Sequence, residues 1–279
     1  MTPDRVASVY FHGQPGSPAE LALFGPECAA RTADWLVMDR QASIADDYYA
    51  ALARKAVAFA AGRPLRLVGF SLGGYVALRV AQHCGPALAA VDLISTAAPP
   101  IGGVFPMGMM GKPVFELARD HPSLFSLLTS AQGLAVRFVP NWLIRRLFAG
   151  AKGADAILAR DSQFLSVMRG LLRDSASHGQ AVYRFEIADY VRWSHGDIPP
   201  IAAPVRFWHG DMDNWAPMSM AEQLAGQCST VVQFNRLPGL SHYSTLAAYL
   251  AEILADYSPG DAADPANSPP SMLNSDPVT

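Results

Sequence analysis

The chain has 279 residues, of which 51% are hydrophobic and 16% are charged, and its formal net charge is −3. This composition suits one large domain with an insertion, or two small domains, and allows a large buried core. A chain so close to neutral, with no basic run, has no electrostatic basis for binding nucleic acid. No window of the sequence is long and apolar enough to cross a bilayer, so we expect no membrane span.

The cysteine and histidine spacings do not favour a disulfide framework or a metal site. Cys28, Cys84 and Cys228 are odd in number, lie far apart and form no CxxC pair. No two histidines have the spacing of metal ligands, so we expect neither a metal nor another cofactor. Residues 1–9 contain proline, aspartate and arginine but no apolar run, unlike a signal peptide. These features together predict a protein of a reducing compartment, the cytoplasm; its oligomeric state does not follow from the sequence.

Strands and helices alternate in the first hundred residues. Short runs of β-branched and aromatic residues predict strands at Val6–Phe11, Trp35–Met38, Leu65–Phe70 and Val91–Thr96. Apolar periodicity predicts helices over Ser17–Arg31, Ile44–Ala61 and from Ser71 to about Gly85. At the start of the first helix, Ser17 and Glu20 fit a capping box. Alternation of this kind indicates a parallel sheet with helices on both faces.

The alternation stops at residues 99–203 and returns after them. The interruption carries helical patterns at Val114–Arg119, Leu124–Phe148, Ala154–Leu172 and Gln180–Val191. Strands at Val205–Trp208 and Val231–Leu237 follow, with helices at Met218–Gly226 and Tyr243–Tyr257. We therefore predict an α/β fold with a doubly wound, mostly parallel sheet of about six strands. Residues 1–98 and 204–257 form its core, residues 99–203 a helical cap, and residues 258–279 a disordered tail.

A G-x-S-x-G sequence, residues 69–73, lies between a predicted strand and a predicted helix. Small residues are needed on both sides of the serine because the backbone at such a sharp turn is strained and crowded. The turn pushes the hydroxyl of Ser71 out above the sheet. An idle serine in a glycine-rich turn is the alternative, but the strand and helix around the motif favour a nucleophile.

A serine hydroxyl is a poor nucleophile until a base removes its proton, so a histidine and an acid are expected further along the chain. His242 lies in a short loop between a predicted strand and a predicted helix, where a base could reach over the sheet edge. Two acids, Asp211 and Asp213, follow the preceding strand. Either could orient the imidazole on the basis of position alone.

These motifs together resemble the α/β-hydrolase superfamily, in its capped branch. Residues 209–217 are similar to the family's acid loop, G-x-x-D-x-x-x-P, which implies that Asp213 is the acid and Asp211 a turn residue. Residues 12–16 are similar to its H-G-x-P-G loop. The resemblance implies that the backbone N–H groups of Gln14 and Leu72 form an oxyanion hole and that His12 is structural.

The predicted cap begins with an apolar, methionine-rich segment above the expected site. Met107 and Met109 from this segment, and Phe70 and Trp215 beside the motifs, are candidates for a substrate pocket, although ordinary packing explains them equally well. The cap also contains six arginines that a solvated helix face would explain, Arg137, Arg145, Arg146, Arg160, Arg169 and Arg173.

The expected function is that of a serine hydrolase that cleaves a carboxylic ester, or a related acyl bond, of a small, largely apolar substrate through an acyl-enzyme on Ser71. Two alternatives stay open. The same fold could perform C–C bond hydrolysis, acyl transfer or perhydrolysis, because cap and loop details decide among these reactions. The chain could also be a ligand-binding protein that has kept the fold without the chemistry.

Overall fold

The computed structural model describes residues 6–40, 44–99, 103–138, 140–192, 200–228 and 230–255. The tail predicted at residues 258–279 lies outside the described residues, as does the last part of the final predicted helix. Among the described residues, no helix combines the length and the apolar character that a bilayer crossing requires.

One six-stranded sheet forms the centre of the molecule, and every strand pair in it is parallel. Its spatial order is β2-β1-β3-β4-β5-β6, so the direction of winding reverses between β1 and β3. In open parallel sheets, ligands bind outside the carboxyl ends of the strands at such a reversal. The predicted parallel sheet is confirmed, with strands β1 Ala7–Phe11, β2 Leu36–Val37, β3 Leu65–Phe70, β4 Leu88–Ile94, β5 Val205–Gly210 and β6 Val231–Leu237.

Helices flank this sheet and also form one long insertion. Between the strands of the core lie α1 Pro26–Arg31, α2 Tyr48–Ala60 and α3 Leu72–Ala81. Between β4 and β5, where the sequence predicts the cap, lie α4 Lys112–Asp120, α5 Pro122–Phe138, α6 Pro140–Leu147, α7 Asp155–Leu158, α8 Ser162–Ser177 and α9 Gln180–Arg192. The last two are α10 Met218–Gln227 and α11 His242–Ala255. We call the helices α4–α9 the helical insertion.

Three long predicted helices are each divided in two, so those predicted boundaries were wrong. The first becomes a 3₁₀ helix at Glu20–Phe24 and α1, separated by Gly25, whose φ of 94° breaks the helix. The second divides into α5 and α6, and α6 begins at a proline, which cannot donate the backbone hydrogen bond needed inside a helix. The third divides into α7 and α8, and α8 has its own N-cap, Asp161, which accepts from the N–H of Phe164 at 2.8 Å.

Both faces of the sheet are covered by apolar side chains, so consecutive strand residues belong to different clusters. Leu67 packs in the cluster that contains α2 and α3, while its neighbour Val68 packs in the cluster that contains α11. Helix α9 of the insertion joins the first cluster through Tyr190 and other side chains. The insertion therefore shares the core of the sheet domain and does not form a separate hydrophobic unit.

The buried carboxylate of Asp92 in β4 depends on partners from two other elements. Both guanidinium nitrogens Nε and Nη2 of Arg206 donate to it, at 2.7 and 2.9 Å, and the hydroxyl of Tyr249 donates at 2.8 Å. Burial raises the pKa of Asp92, although Arg206 and the Tyr249 hydroxyl counteract this shift. A buried charge held in this way is costly to leave unpaired.

We predict that Asp92→Asn lowers the free energy of unfolding by about 3 kcal/mol, because it leaves Arg206 beside an uncharged partner in a largely dry site. The matched control is Asp47→Asn, which removes an equally short ion pair with Arg54 whose side chains are more than half exposed. That change should cost much less stability than Asp92→Asn, because solvent screens an exposed ion pair. Urea denaturation of both variants measures the difference, and equal losses would contradict the role given to Asp92.

Candidate active site

Ser71 occupies a sharp turn between β3 and α3. Its backbone angles are φ 54° and ψ −126°, a conformation that a residue with a side chain adopts only under strain. Its N–H donates to the carbonyl of Ile94 at 3.0 Å, and its carbonyl accepts from the N–H groups of Gly74 and Ala97 at 3.0 and 3.1 Å. Neighbouring strand ends thus hold the strained turn in place at the carboxyl edge of the sheet.

The glycines around Ser71 are required because backbones approach closely there. A Cβ on Gly73 would overlap the carbonyl oxygens of Phe11 and His12 at the end of β1. A Cβ on Gly69 would lie 2.6 Å from the Gly73 carbonyl oxygen, which a real side chain does not allow. The same close approach places Gly13 beside Ser71, since a Cβ on Gly13 would lie 3.3 Å from the Ser71 Cβ.

His242 is the first residue of α11, and the structure pairs it with Asp213. Its Nδ1 donates to Asp213 Oδ2 at 2.8 Å, which leaves Nε2 as the basic nitrogen of the neutral ring. The ring centroid lies 4.8 Å from that of Phe70, the residue before Ser71. Burial alone would lower the pKa of His242, but the Asp213 carboxylate outweighs it and raises the pKa above the ordinary value.

Both carboxylate oxygens of Asp213 accept hydrogen bonds at the candidate site, whereas Asp211 bonds elsewhere. The Oδ1 atom of Asp213 accepts from the N–H groups of Trp215 and Ala216, at 2.9 and 3.0 Å. Burial would raise the pKa of Asp213, but His242 and these N–H donors hold it below the usual value, so the carboxylate is ionised. Asp211 instead accepts from the Gly239 N–H at 2.7 Å. Of the two candidate acids, Asp213 is therefore the one that contacts His242.

His209 lies beside this pair without taking part in it. Its Nε2 is 3.6 Å from Asp213 Oδ2 and 2.7 Å from the Ala216 carbonyl oxygen. Burial lowers the pKa of His209, so the ring is neutral and this contact is not an ion pair. His209 therefore has a structural role beside the His242–Asp213 pair.

Residues 12–16 follow β1 and are held by buried polar groups. The Gly13 N–H donates to Glu20 Oε2 at 3.0 Å, and Arg40 Nη2 donates to the His12 carbonyl at 2.8 Å. Burial and the nearby Arg40 guanidinium lower the pKa of His12, so its ring is neutral. Burial raises the pKa of Glu20 to about 7. The predicted capping box is wrong, because Glu20 binds this loop and the Tyr10 hydroxyl instead.

The N–H of Leu72 opens the first turn of α3, where helical N–H groups have no acceptor within the helix. Gln14, Ser71 and Leu72 line the same cavity, so the two predicted oxyanion donors belong to residues that border one space with the candidate nucleophile. This arrangement can place a carbonyl carbon at Ser71 and its oxygen toward backbone donors.

Sequence reasoning missed Asp155 of α7, which is buried at the start of α11. Its two carboxylate oxygens accept from the N–H groups of Tyr243 and Ser244, at 3.0 and 2.7 Å. The helical insertion thus caps the helix whose first residue is His242. No motif marks this aspartate, because the contact joins residues 88 positions apart.

The cavity above Ser71 has a volume of about 670 Å³, within the range of small-molecule sites, and its walls are mainly apolar. Of the four predicted pocket residues, Met109 and Trp215 line it. Phe70 lies beneath the site, buried against His242. Met107 does not line the cavity, because its side chain is 93% exposed on the surface, and that assignment was wrong. Arg146, one of the arginines considered in the sequence, is among the lining residues.

Comparison with known proteins identifies the family to which this chain belongs. A family model described as the alpha/beta hydrolase family matches residues 9–255, which is most of the chain. The chain belongs to the α/β hydrolase family. The family is one of hydrolases, and the six-stranded parallel sheet agrees with this membership. No curated protein sequence matches this hydrolase significantly.

Several solved structures share the fold of this hydrolase at low sequence identity. A thermophilic esterase from Thermogutta terrifontis has 14% identity and a TM-score of 0.61, with 92% of this chain and 90% of that chain covered. MenH from S. aureus has 15% identity and a TM-score of 0.59, covering 91% and 94%. A bromoperoxidase from Bacillus anthracis has 14% identity and a TM-score of 0.53, covering 91% and 92%. At these identities the likeness concerns the fold alone.

Within the described part of this hydrolase, no group of three or more histidine, cysteine, aspartate and glutamate side chains is arranged to hold a metal ion. Cys28, Cys84 and Cys228 are all free thiols.

We predict that Asp213→Asn lowers the pKa of His242, because the carboxylate that favours the imidazolium is lost while the burial that opposes it remains. Titration of the imidazole by NMR measures the shift. Asp211→Asn is the matched control, since Asp211 lies in the same turn but bonds to Gly239, and it should leave the pKa unchanged. Equal shifts in the two variants would contradict the assignment.

Proposed function

We propose that this hydrolase cleaves a carboxylic ester, or a related acyl bond, of a small, largely apolar molecule through an acyl-enzyme on Ser71. The observation that carries the proposal is the 2.8 Å hydrogen bond from His242 to Asp213 beside the strained turn of Ser71. A strained serine next to an oriented histidine is the arrangement that nucleophilic acyl transfer requires.

In the proposed cycle, Ser71 Oγ attacks the ester carbonyl carbon while His242 Nε2 takes the hydroxyl proton. The backbone N–H groups of Gln14 and Leu72 stabilise the negative charge that develops on the carbonyl oxygen. The tetrahedral intermediate collapses, and His242 gives its proton to the leaving alcohol. Water then attacks the acyl-enzyme with the same histidine as base, which releases the acid and restores Ser71.

We propose that residues 99–203 act as the cap over this site, since the helical insertion supplies most of the cavity wall. Val136, Leu143, Leu172 and Ile187, from four different helices, give that wall its apolar character. Such a wall favours an alkyl or aryl acyl group over a charged one. The apolar cavity wall is therefore the reason for proposing a largely apolar substrate.

The first test is labelling of wild type and Ser71→Ala with a fluorophosphonate, together with hydrolysis of p-nitrophenyl esters. We expect labelling and turnover that both vanish in the variant, because the nucleophile is removed. Ser177→Ala, which removes an exposed serine of α8, is the matched control and should keep both. A well-folded wild type that does not label would contradict the proposal and favour a ligand-binding protein.

Labelling without ester turnover would indicate an activated serine but contradict ester cleavage. It would favour C–C bond hydrolysis, acyl transfer or perhydrolysis. These reactions are relevant because the structures that share this fold include proteins named as MenH and as a bromoperoxidase. Product analysis with water, alcohol or hydrogen peroxide as the acceptor separates them.

A second test concerns the length of the acyl chain. Ala176 of α8 lines the cavity and also borders a second hollow whose lining does not include Ser71. We infer that Ala176 lies at the end of the cavity away from Ser71. We predict that Ala176→Phe lowers kcat/KM at least about tenfold for decanoyl esters but less than about twofold for acetyl esters, since the ring fills only the far end. Ala131→Phe, at an exposed position of α5, should change neither. Equal losses for both esters would contradict this orientation of the substrate.

A further inference from the structure

A carboxylate of the helical insertion, Glu186 in α9, is fully buried against the loop that carries Gln14. Its Oε2 atom accepts from the side-chain amide of Gln14 at 2.8 Å and lies 3.3 Å from Arg40 Nη1. Its Oε1 atom accepts from the Tyr48 hydroxyl at 2.7 Å. Both members of the Glu186–Arg40 pair are almost completely inaccessible, with 0% and 1% of their side chains exposed.

The carboxylate fixes the direction of the Gln14 side chain. An ionised carboxylate can only accept hydrogen bonds, so it binds the amide nitrogen of Gln14 and never the amide oxygen. A hydrogen bond to a charged acceptor in a dry site is also stronger than one between neutral groups. With its far end held, Gln14 has few backbone orientations left, and the direction of its N–H is restricted.

The hydrogen bond between Glu186 and Gln14 is needed neither to compensate the charge of Glu186 nor to attach α9 to the sheet domain. Arg40 supplies the opposite charge. Helix α9 is attached separately to α2 and α3, because Asp189 accepts from the hydroxyls of Tyr49 and Tyr75, each at 2.6 Å. The hydrogen bond between Glu186 and Gln14 is therefore an additional contact, and it holds a loop beside the candidate nucleophile.

We propose that Glu186 is a positioning residue, which acts through the Gln14 side chain to aim the Gln14 backbone N–H at the oxyanion. The proposal rests on the proposed function, in which that N–H is one of the two donors. Oxyanion stabilisation depends on donors that are already oriented before the charge develops, so a loosened loop should slow the chemical step more than it weakens substrate binding.

Helix α9 also lines the substrate cavity, through Tyr183 and Ile187 on the same side. One rigid element therefore touches both the space for the acyl group and the residue that carries the donor.

The test uses Gln14→Ala, which removes the tether but keeps the backbone N–H and the Glu186–Arg40 pair. We expect kcat for a p-nitrophenyl ester to fall about 10- to 100-fold, less than the loss of a whole donor, with KM within about twofold of wild type. Tyr48→Phe is the matched control, because it removes the bond to the other oxygen of Glu186 without touching the loop. It should leave kcat within about twofold of wild type.

The double variant Gln14→Ala/Glu186→Gln distinguishes positioning from general destabilisation. If Glu186 acts through Gln14, the double variant should be no slower than Gln14→Ala alone, because the tether is already absent. Thermal unfolding identifies any variant that does not fold, and in that case the comparison of Gln14→Ala with Tyr48→Phe decides.

An unchanged kcat in Gln14→Ala, an equal loss in Tyr48→Phe, or a fall in kcat/KM that comes from KM alone would overturn the inference while the proposed function stands. A wild type without Ser71-dependent turnover would overturn both, so the two failures are distinguishable.

Discussion

The close approach of helix α3 to the end of β1 is the constraint on which the rest of the site depends. Gly73 packs against the carbonyl oxygens of Phe11 and His12 with no room for a side chain. This contact forces Ser71 into its strained conformation and brings the loop of residues 12–16 beside it. Both consequences arise where the sheet reverses its winding, between β1 and β3. The candidate nucleophile and the loop across from it thus depend on one packing contact.

The other parts of the candidate site are positioned by hydrogen bonds to buried carboxyl groups. Asp213 orients His242, Asp155 caps the helix that begins at His242, and Glu20 holds the N–H of Gly13. Burying a carboxylate is unfavourable unless hydrogen bonds or opposite charges compensate it, and each of these has such partners. A shift of any element held in this way would leave a buried carboxyl group without its partners, which opposes such a shift.

Local sequence was sufficient for those features that depend on neighbours along the chain. The strand–helix alternation predicted the parallel sheet, and the glycines around Ser71 predicted the turn. Asp155 and Glu186 could not be found in this way, because their partners lie 88 and 172 positions away and no pattern records such contacts. The prediction that Met107 lines the pocket was wrong for another reason. The sequence around an apolar residue outside a helix or strand gives no indication of the side to which it points.

The two carboxylates that reach from the insertion into the core restrict how this protein could be rebuilt or could diverge. Replacing the insertion with that of another family member would remove Asp155 and Glu186 together, while Arg40 would stay behind as a buried cation without its partner. The sheet domain of such a chimera would keep Ser71, His242 and Asp213 but lose the contacts that hold the start of α11 and the side chain of Gln14. An exchange of the insertion would therefore also require changes at the positions of the sheet domain that these two carboxylates contact.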